Sequence, residues 1–216
     1  MGEFQEAIRD QFPESALIIK KTITIVSENQ KPEEDSTPGK LWQFKSVRGD
    51  ILNVEFNSLS IVSEHYKTYE LGEGDKFRDL IETVGNKFID IMKIPIIKRI
   101  GLRYIDECPF PSREHAIFKR HYNSAFPLSR FNLEDVSESL LTIVTRKGDC
   151  NLRYVERIVQ EGGVDKFYLD FDGFSLDLDS SHYLDVTDKL HLIISEEYEK
   201  TLKTPVYKYM RKKPVK

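Results

Sequence analysis

The chain has little sulfur and few of the residues that announce chemistry. Among its 216 residues, Cys108 and Cys150 are the only cysteines, too few for a disulfide framework and not in a C-x-x-C spacing. No apolar run approaches the roughly 18 residues that a membrane-spanning helix needs. The opening residues, Met1-Gly2-Glu3-Phe4-Gln5-Glu6, form neither a basic region nor an apolar one, so no signal peptide is expected. These absences together lead to an expected cytoplasmic location. The charges nearly balance, with a formal net charge of −4. That argues against a dedicated nucleic-acid binder, which carries a basic excess or a one-sided basic patch. Only the tail from Lys208 to Lys216 is basic, and it reads as a solvated end.

Catalytic signatures are equally scarce. The chain contains no P-loop, no Gly-x-Ser-x-Gly elbow, no G-x-G-x-x-G and no H-E-x-x-H. The histidines, His65, His115, His121, His182 and His191, are scattered without a metal-ligand spacing. No metal site, cofactor or catalytic residue is expected. Asp170-Phe171-Asp172-Gly173 superficially matches the D-x-D-G of haloacid-dehalogenase phosphohydrolases, whose first aspartate attacks phosphorus. Phe174 stands where that motif has Thr or Ser, and the neighbouring strands read as antiparallel, so the match carries no activity. Arg48-Gly49-Asp50 copies an adhesion tripeptide, but a hairpin turn explains it.

What is present is an alternation of strands and helices. A short helix is expected over residues 3–12 and a β-branched strand over 17–26, followed by a proline-broken polar loop over 27–39. Strands over 41–47, 51–57 and 59–64 form a meander, and apolar residues at helical spacing predict a helix from about 74 to 92. A strand over 98–108 and a short helix over 113–122 come next. The plan then recurs: strands over 139–146, 151–160 and 166–171, then a helix over 184–201 ended before Pro205. The expected fold is α+β, with two similar antiparallel-sheet-plus-helix units packed together and an internal duplication suggested by Gly49-Asp50 and Gly148-Asp149. The boundary is expected near residue 125, giving subdomains 1–125 and 126–216 joined around 126–133, either as separate units or as one compact domain.

The strand Lys98-Arg99-Ile100-Gly101-Leu102-Arg103-Tyr104-Ile105-Asp106 stands out. Arg99, Gly101 and Arg103 share the face opposite Ile100, Leu102 and Tyr104. Arginines in mid-strand need a receiver, a carboxylate, an anion or an aromatic face. Asp170 and Asp172, on one face of a later strand, are the natural counterparts. The pairing is either a cross-strand ion-pair network or the lining of a charged cleft between the sheets that binds a small molecule or nucleotide. Trp42, at a strand start, is a further candidate anchor for a partner.

Trp42-Gln43-Phe44 before a Gly-Asp hairpin, the arginine strand, Leu169-Asp170-Phe171-Asp172, and a helix carrying Leu190-His191 and Glu197-Tyr198-Glu199 together resemble a sporadically distributed bacterial family. Its members usually carry Asn where Asp106 stands, and a Phe near Tyr198. The resemblance implies no activity, only a scattered occurrence like that of mobile or defence-associated genes. The expected role is therefore non-enzymatic binding of a protein partner or self-association as a homo-oligomer, with neither nucleic acid nor membrane; the alternative is a small-molecule or nucleotide-binding domain, or an unrecognised enzyme, with a charged cleft between the sheets.

Overall fold

The structure is a computed structural model and describes residues 1–20, 23–24, 33–34, 39–66, 68–70 and 73–210. It is α+β, with two four-stranded antiparallel sheets that fall in separate compact units, Met1–Ile94 and Pro95–Lys216. The division lies about thirty residues before the expected one, because the arginine strand pairs within the second sheet rather than the first. The loop expected to be the junction is internal to the second unit. The expected polar loop over 27–39 and the basic tail beyond Met210 lie largely outside the described residues.

In the first unit, helix α1 (Gly2–Ile8) precedes strand β1 (Glu14–Lys20), the two-residue pair β2 (Ile23–Thr24) and β3 (Glu33–Glu34), and the meander β4 (Gly39–Lys45), β5 (Ile51–Val54) and β6 (Leu59–Val62). Helix α2 (Phe77–Met92) ends at Lys93, whose left-handed φ of 52° caps it just before Pro95. The sheet order is β1-β4-β5-β6. Phe4, Ile8 and Phe12 join Phe44, Leu52, Val54, Leu80 and Val84 in one core, with Trp42 half-buried against it. The alternation of β4 and β5 dictates this, since every second side chain faces the helices.

The second unit contains β7 (Ile96–Cys108), helix α3 (His115–His121), β8 (Ser139–Lys147), β9 (Cys150–Glu161), β10 (Val164–Asp179), helix α4 (Tyr183–Thr201) and helix α5 (Thr204–Met210). Its order is β7-β10-β9-β8. Strand β10 runs eight residues beyond the expected end at 171, because as a central strand it pairs with β7 as far as Asp179. Gly173 consequently lies in mid-strand, where an added Cβ would meet Leu190 and Ile194 of α4 at 3.4 Å. That close approach of helix to sheet is what the glycine permits. Phe167, Leu169 and Phe171 are fully buried on this face with Leu190 and Ile194.

The two units share a meander followed by a helix, but the fourth strand joins at opposite edges. In the first unit β1 lies beside the first meander strand; in the second, β7 lies beside the last. A duplication is not shown.

Candidate functional site

The cross-strand register fixes which residues share a sheet face. Asp172 lies opposite both Arg103 and Arg153, Asp170 opposite Ile105 and Val155, and Phe174 opposite Gly101 and Asn151. The face turned away from Phe171 and Leu169 therefore carries Arg99, Arg103, Arg153 and Arg157 around two aspartates. Arg103 donates from Nε and Nη2 to Asp170 at 2.7 and 2.6 Å. Arg99 donates from Nη2 to both oxygens of Asp172, at 3.0 and 2.9 Å. Arg153 adds a third cation 3.6 Å from Asp170. The aspartates are shielded, their side chains 14 and 17% exposed, whereas Arg99 and Arg103 are half exposed. The hydrogen bond to Asp170 raises Arg103 further above the usual guanidinium value, against a smaller opposing effect of burial.

The pairing is diagonal, which explains the glycine. Arg99 sits opposite Leu176, four residues along β10 from its partner Asp172. Four residues of strand are roughly 13 Å, so the side chain must lie flat along the sheet to make the contact. It does so across Gly101, where a Cβ would stand 2.9 Å from Nη1, and over the ring of Phe174, 4.9 Å from its centroid. Arg-x-Gly-x-Arg is thus one device: the glycine clears the track, the phenyl ring supports the guanidinium, and the aspartate receives it. Further along, Arg157 stacks on Tyr168 and Lys166 bonds Glu107 and Glu161.

Arg99, Arg103, Asp170 and Asp172 therefore come together on one sheet face, and both arginines meet aspartates. They line one face of the second unit's sheet. Trp42 belongs to the first unit, on β4 against that unit's core. The D-x-D-G motif lies inside a central antiparallel strand with both carboxylates committed to arginines, which leaves no aspartate free to attack phosphorus. Asp50 of the adhesion-like tripeptide is 2% exposed and accepts from Ser46 Oγ at 2.9 Å and Ser63 Oγ at 2.5 Å, so it fixes the hairpin.

Two polar clusters were not legible in the sequence. Glu156 is buried on β9 and accepts from Ser124 Oγ at 2.5 Å, from the Ala125 N–H at 2.9 Å and from the Tyr154 hydroxyl, tying the 123–126 loop to the sheet. On the face covered by α4, the Tyr104 hydroxyl lies 3.0 Å from His191 Nδ1, and Ser195 Oγ lies 3.4 Å from His191 Nε2. Burial, with Asp106 nearby, pushes the Tyr104 hydroxyl above its ordinary value, and burial alone raises Asp106. The Ser–His–Tyr alignment has the outline of a nucleophile relay. Ser195 sits inside α4, where helical bonding already uses the backbone N–H groups that an oxyanion would need. Only the i, i+4 spacing of His191 and Ser195 was visible in sequence; Tyr104 comes from a strand nearly ninety residues away.

Each unit also carries a cleft. One, of about 330 Å³, lies in the first unit beside Arg48, Asp50, Tyr66 and Asp75. The other, of about 270 Å³, lies in the second unit beside Tyr154, Glu197 and Lys200. Among the described residues no group of three or more His, Cys, Asp or Glu is placed to hold a metal ion, and no helix is long and apolar enough to cross a membrane.

The fold and the face define an α+β protein with an arginine–aspartate ladder on an antiparallel sheet. No protein-family model, no curated protein and no solved structure matches this chain.

Proposed function

We propose that this protein is a non-catalytic binding module that engages a protein partner or a second copy of itself through the sheet of Pro95–Lys216. One observation carries the reading. The ladder face and its edges leave large apolar side chains in solvent: Ile105 at 60%, Leu140 at 66%, Val144 at 61% and Leu176 at 54% exposed. Apolar residues interleaved with arginines are the composition of protein-recognition surfaces. Each half-exposed guanidinium keeps donors beyond those its aspartate uses. The two buried free thiols suit a reducing cytoplasm. A role in a mobile or defence-associated locus rests only on the resemblance to the sporadically distributed bacterial family.

The rival is a nucleotide or other small anion held by Arg99 and Arg103. Such a ligand would have to displace Asp170 or Asp172 from a two-bond contact, which weighs against it. A thermal-shift screen of the full chain against nucleotides and anionic metabolites separates the two. The proposal expects no ligand-dependent rise. A rise that Arg103→Ala abolishes would replace it with the ligand-binding reading. In parallel, quantitative capture from the cells of origin should recover one stoichiometric polypeptide, lost on Leu140→Lys with Leu176→Lys.

A further inference from the structure

Strand β8 forms one edge of the second unit's sheet. Its hairpin to β9 closes through the two-residue loop Gly148-Asp149, with Gly148 at φ +66° and Lys147 directly opposite Cys150. In such a loop the flanking residues exchange hydrogen bonds, and the register then runs without a bulge from Lys147 back to Ser139. Odd-numbered residues of β8 thus bond β9, and the backbone groups of Leu140, Thr142, Val144 and Arg146 point away from the sheet. Strand β8 pairs with β9 alone, and among the described residues none of these outward groups bonds the backbone of a turn or loop.

Edges are normally protected by charges, prolines or bulges. The opposite edge, β7, carries Lys98, Arg99, Arg103, Asp106 and Glu107. Over Leu140–Thr145, β8 has none of these devices, and it exposes apolar residues on both faces, Leu140 and Val144 on one and Ile143, 41% exposed, on the other.

We infer that two copies of this chain pair antiparallel through β8, with the two-fold axis at Thr142. In that register Thr142 meets Thr142, Val144 meets Leu140, Ile143 meets Leu141, and Arg146 meets Glu138. Every outward-pointing residue then faces another outward-pointing residue, giving on the order of ten new backbone hydrogen bonds and one continuous eight-stranded sheet. The charges select this register. Glu138 and Arg146 are both exposed, and neither forms an ion pair within the chain among the described residues. Their separation from Thr142 is four residues on either side, so a two-fold axis there mates both pairs at once. Shifting the axis by one residue either way loses the charge match and breaks up the Leu140–Val144 contact. The inference rests on the proposed binding role and names its partner.

The test is the mass of the full chain in solution by light scattering and sedimentation, from about 1 to 200 µM, the range over which weak strand-addition dimers form. A concentration-dependent shift from 25.2 kDa to a dimer is expected. Val144→Lys and Thr142→Pro should each weaken dimerisation at least tenfold; the proline removes only an outward N–H and leaves the bonds to β9 intact. Glu138→Lys should weaken it and Glu138→Lys with Arg146→Glu should restore it, a rescue that a folding defect cannot imitate. A chain that stays monomeric at 200 µM overturns the inference, while the binding role stands if a different stoichiometric partner is recovered. A dimer indifferent to these changes but lost on Leu17→Lys places the contact on β1 and also overturns it. A monomeric chain with neither partner nor dimer refutes the binding role as well.

Discussion

Replacing Arg103 with alanine should cost about 1.5 kcal/mol, more than a surface ion pair and less than a buried one. Fully exposed pairs contribute about 0.2–1 kcal/mol, and stripping the partner from a buried charge costs about 3–5. The Arg103–Asp170 pair falls between these limits, because the arginine is half exposed while the aspartate side chain is 14% exposed. Two charge-assisted hydrogen bonds are lost, and Arg153, 3.6 Å from Asp170, offsets part of the loss. A double-mutant cycle of Arg103→Ala and Asp170→Ala should give a coupling energy near ~1 kcal/mol. The readout is urea-dependent hydrogen exchange of β7 and β10 amides. Trp42 is the sole tryptophan and lies in the first unit, so its emission reports the other unit and serves as an internal control. Because Asp170 is shielded, most of the coupling should survive about 1 M salt, where exposed pairs are screened within about 3 Å. A coupling below about 0.3 kcal/mol would refute the reasoning, because it would mean the ladder contributes no more than solvated charges do.

Three further outcomes follow from the same geometry. Asp106→Asn should stabilise the protein at neutral pH: burial raises the folded carboxyl, so its contribution is greatest below the ordinary carboxylate value and is lost as pH rises through the folded one. The stability gap between variant and parent, measured by denaturation from pH 3 to 8, should widen with pH; a flat gap would contradict this. Neither Cys108, pushed up to about 12 by burial, nor the buried Cys150 should react with a thiol reagent at pH 8 until the chain unfolds, when both should titrate; rapid labelling of the folded protein would contradict their burial. Gly101→Ala should lower stability by about 0.5 kcal/mol through displacement of the Arg99 guanidinium, and the loss should vanish in an Arg99→Ala background. An equal loss in both backgrounds would show that the glycine is needed for the strand itself.

The strand faces of the ladder were legible because alternation is a local property. Arg99 and Arg103 opposite Leu102 and Tyr104, and Asp170 and Asp172 opposite Leu169 and Phe171, follow from the period of two alone, and the structure keeps both assignments. The helices α2 and α4 were legible for the same reason, as apolar residues at a period near 3.6. The unit boundary was not legible, because β7 can join either sheet without any change in its local pattern. The end of β10 is not set locally: glycine weakens a strand interior, and only the approach of Leu190 and Ile194 shows why Gly173 belongs in mid-strand.

Local pattern establishes which residues face which way, that the fold mixes antiparallel sheets with helices, and that two arginines in mid-strand need a receiver, whether carboxylate, anion or aromatic face. Tertiary structure alone decided that the receivers lie along the neighbouring strand, that Arg99 crosses Gly101 and Phe174 to reach Asp172, and that β8 is left as an edge. Periodicity is written in neighbouring residues. Strand order is set by which long-range pairing buries the most apolar surface, and no local pattern records that competition.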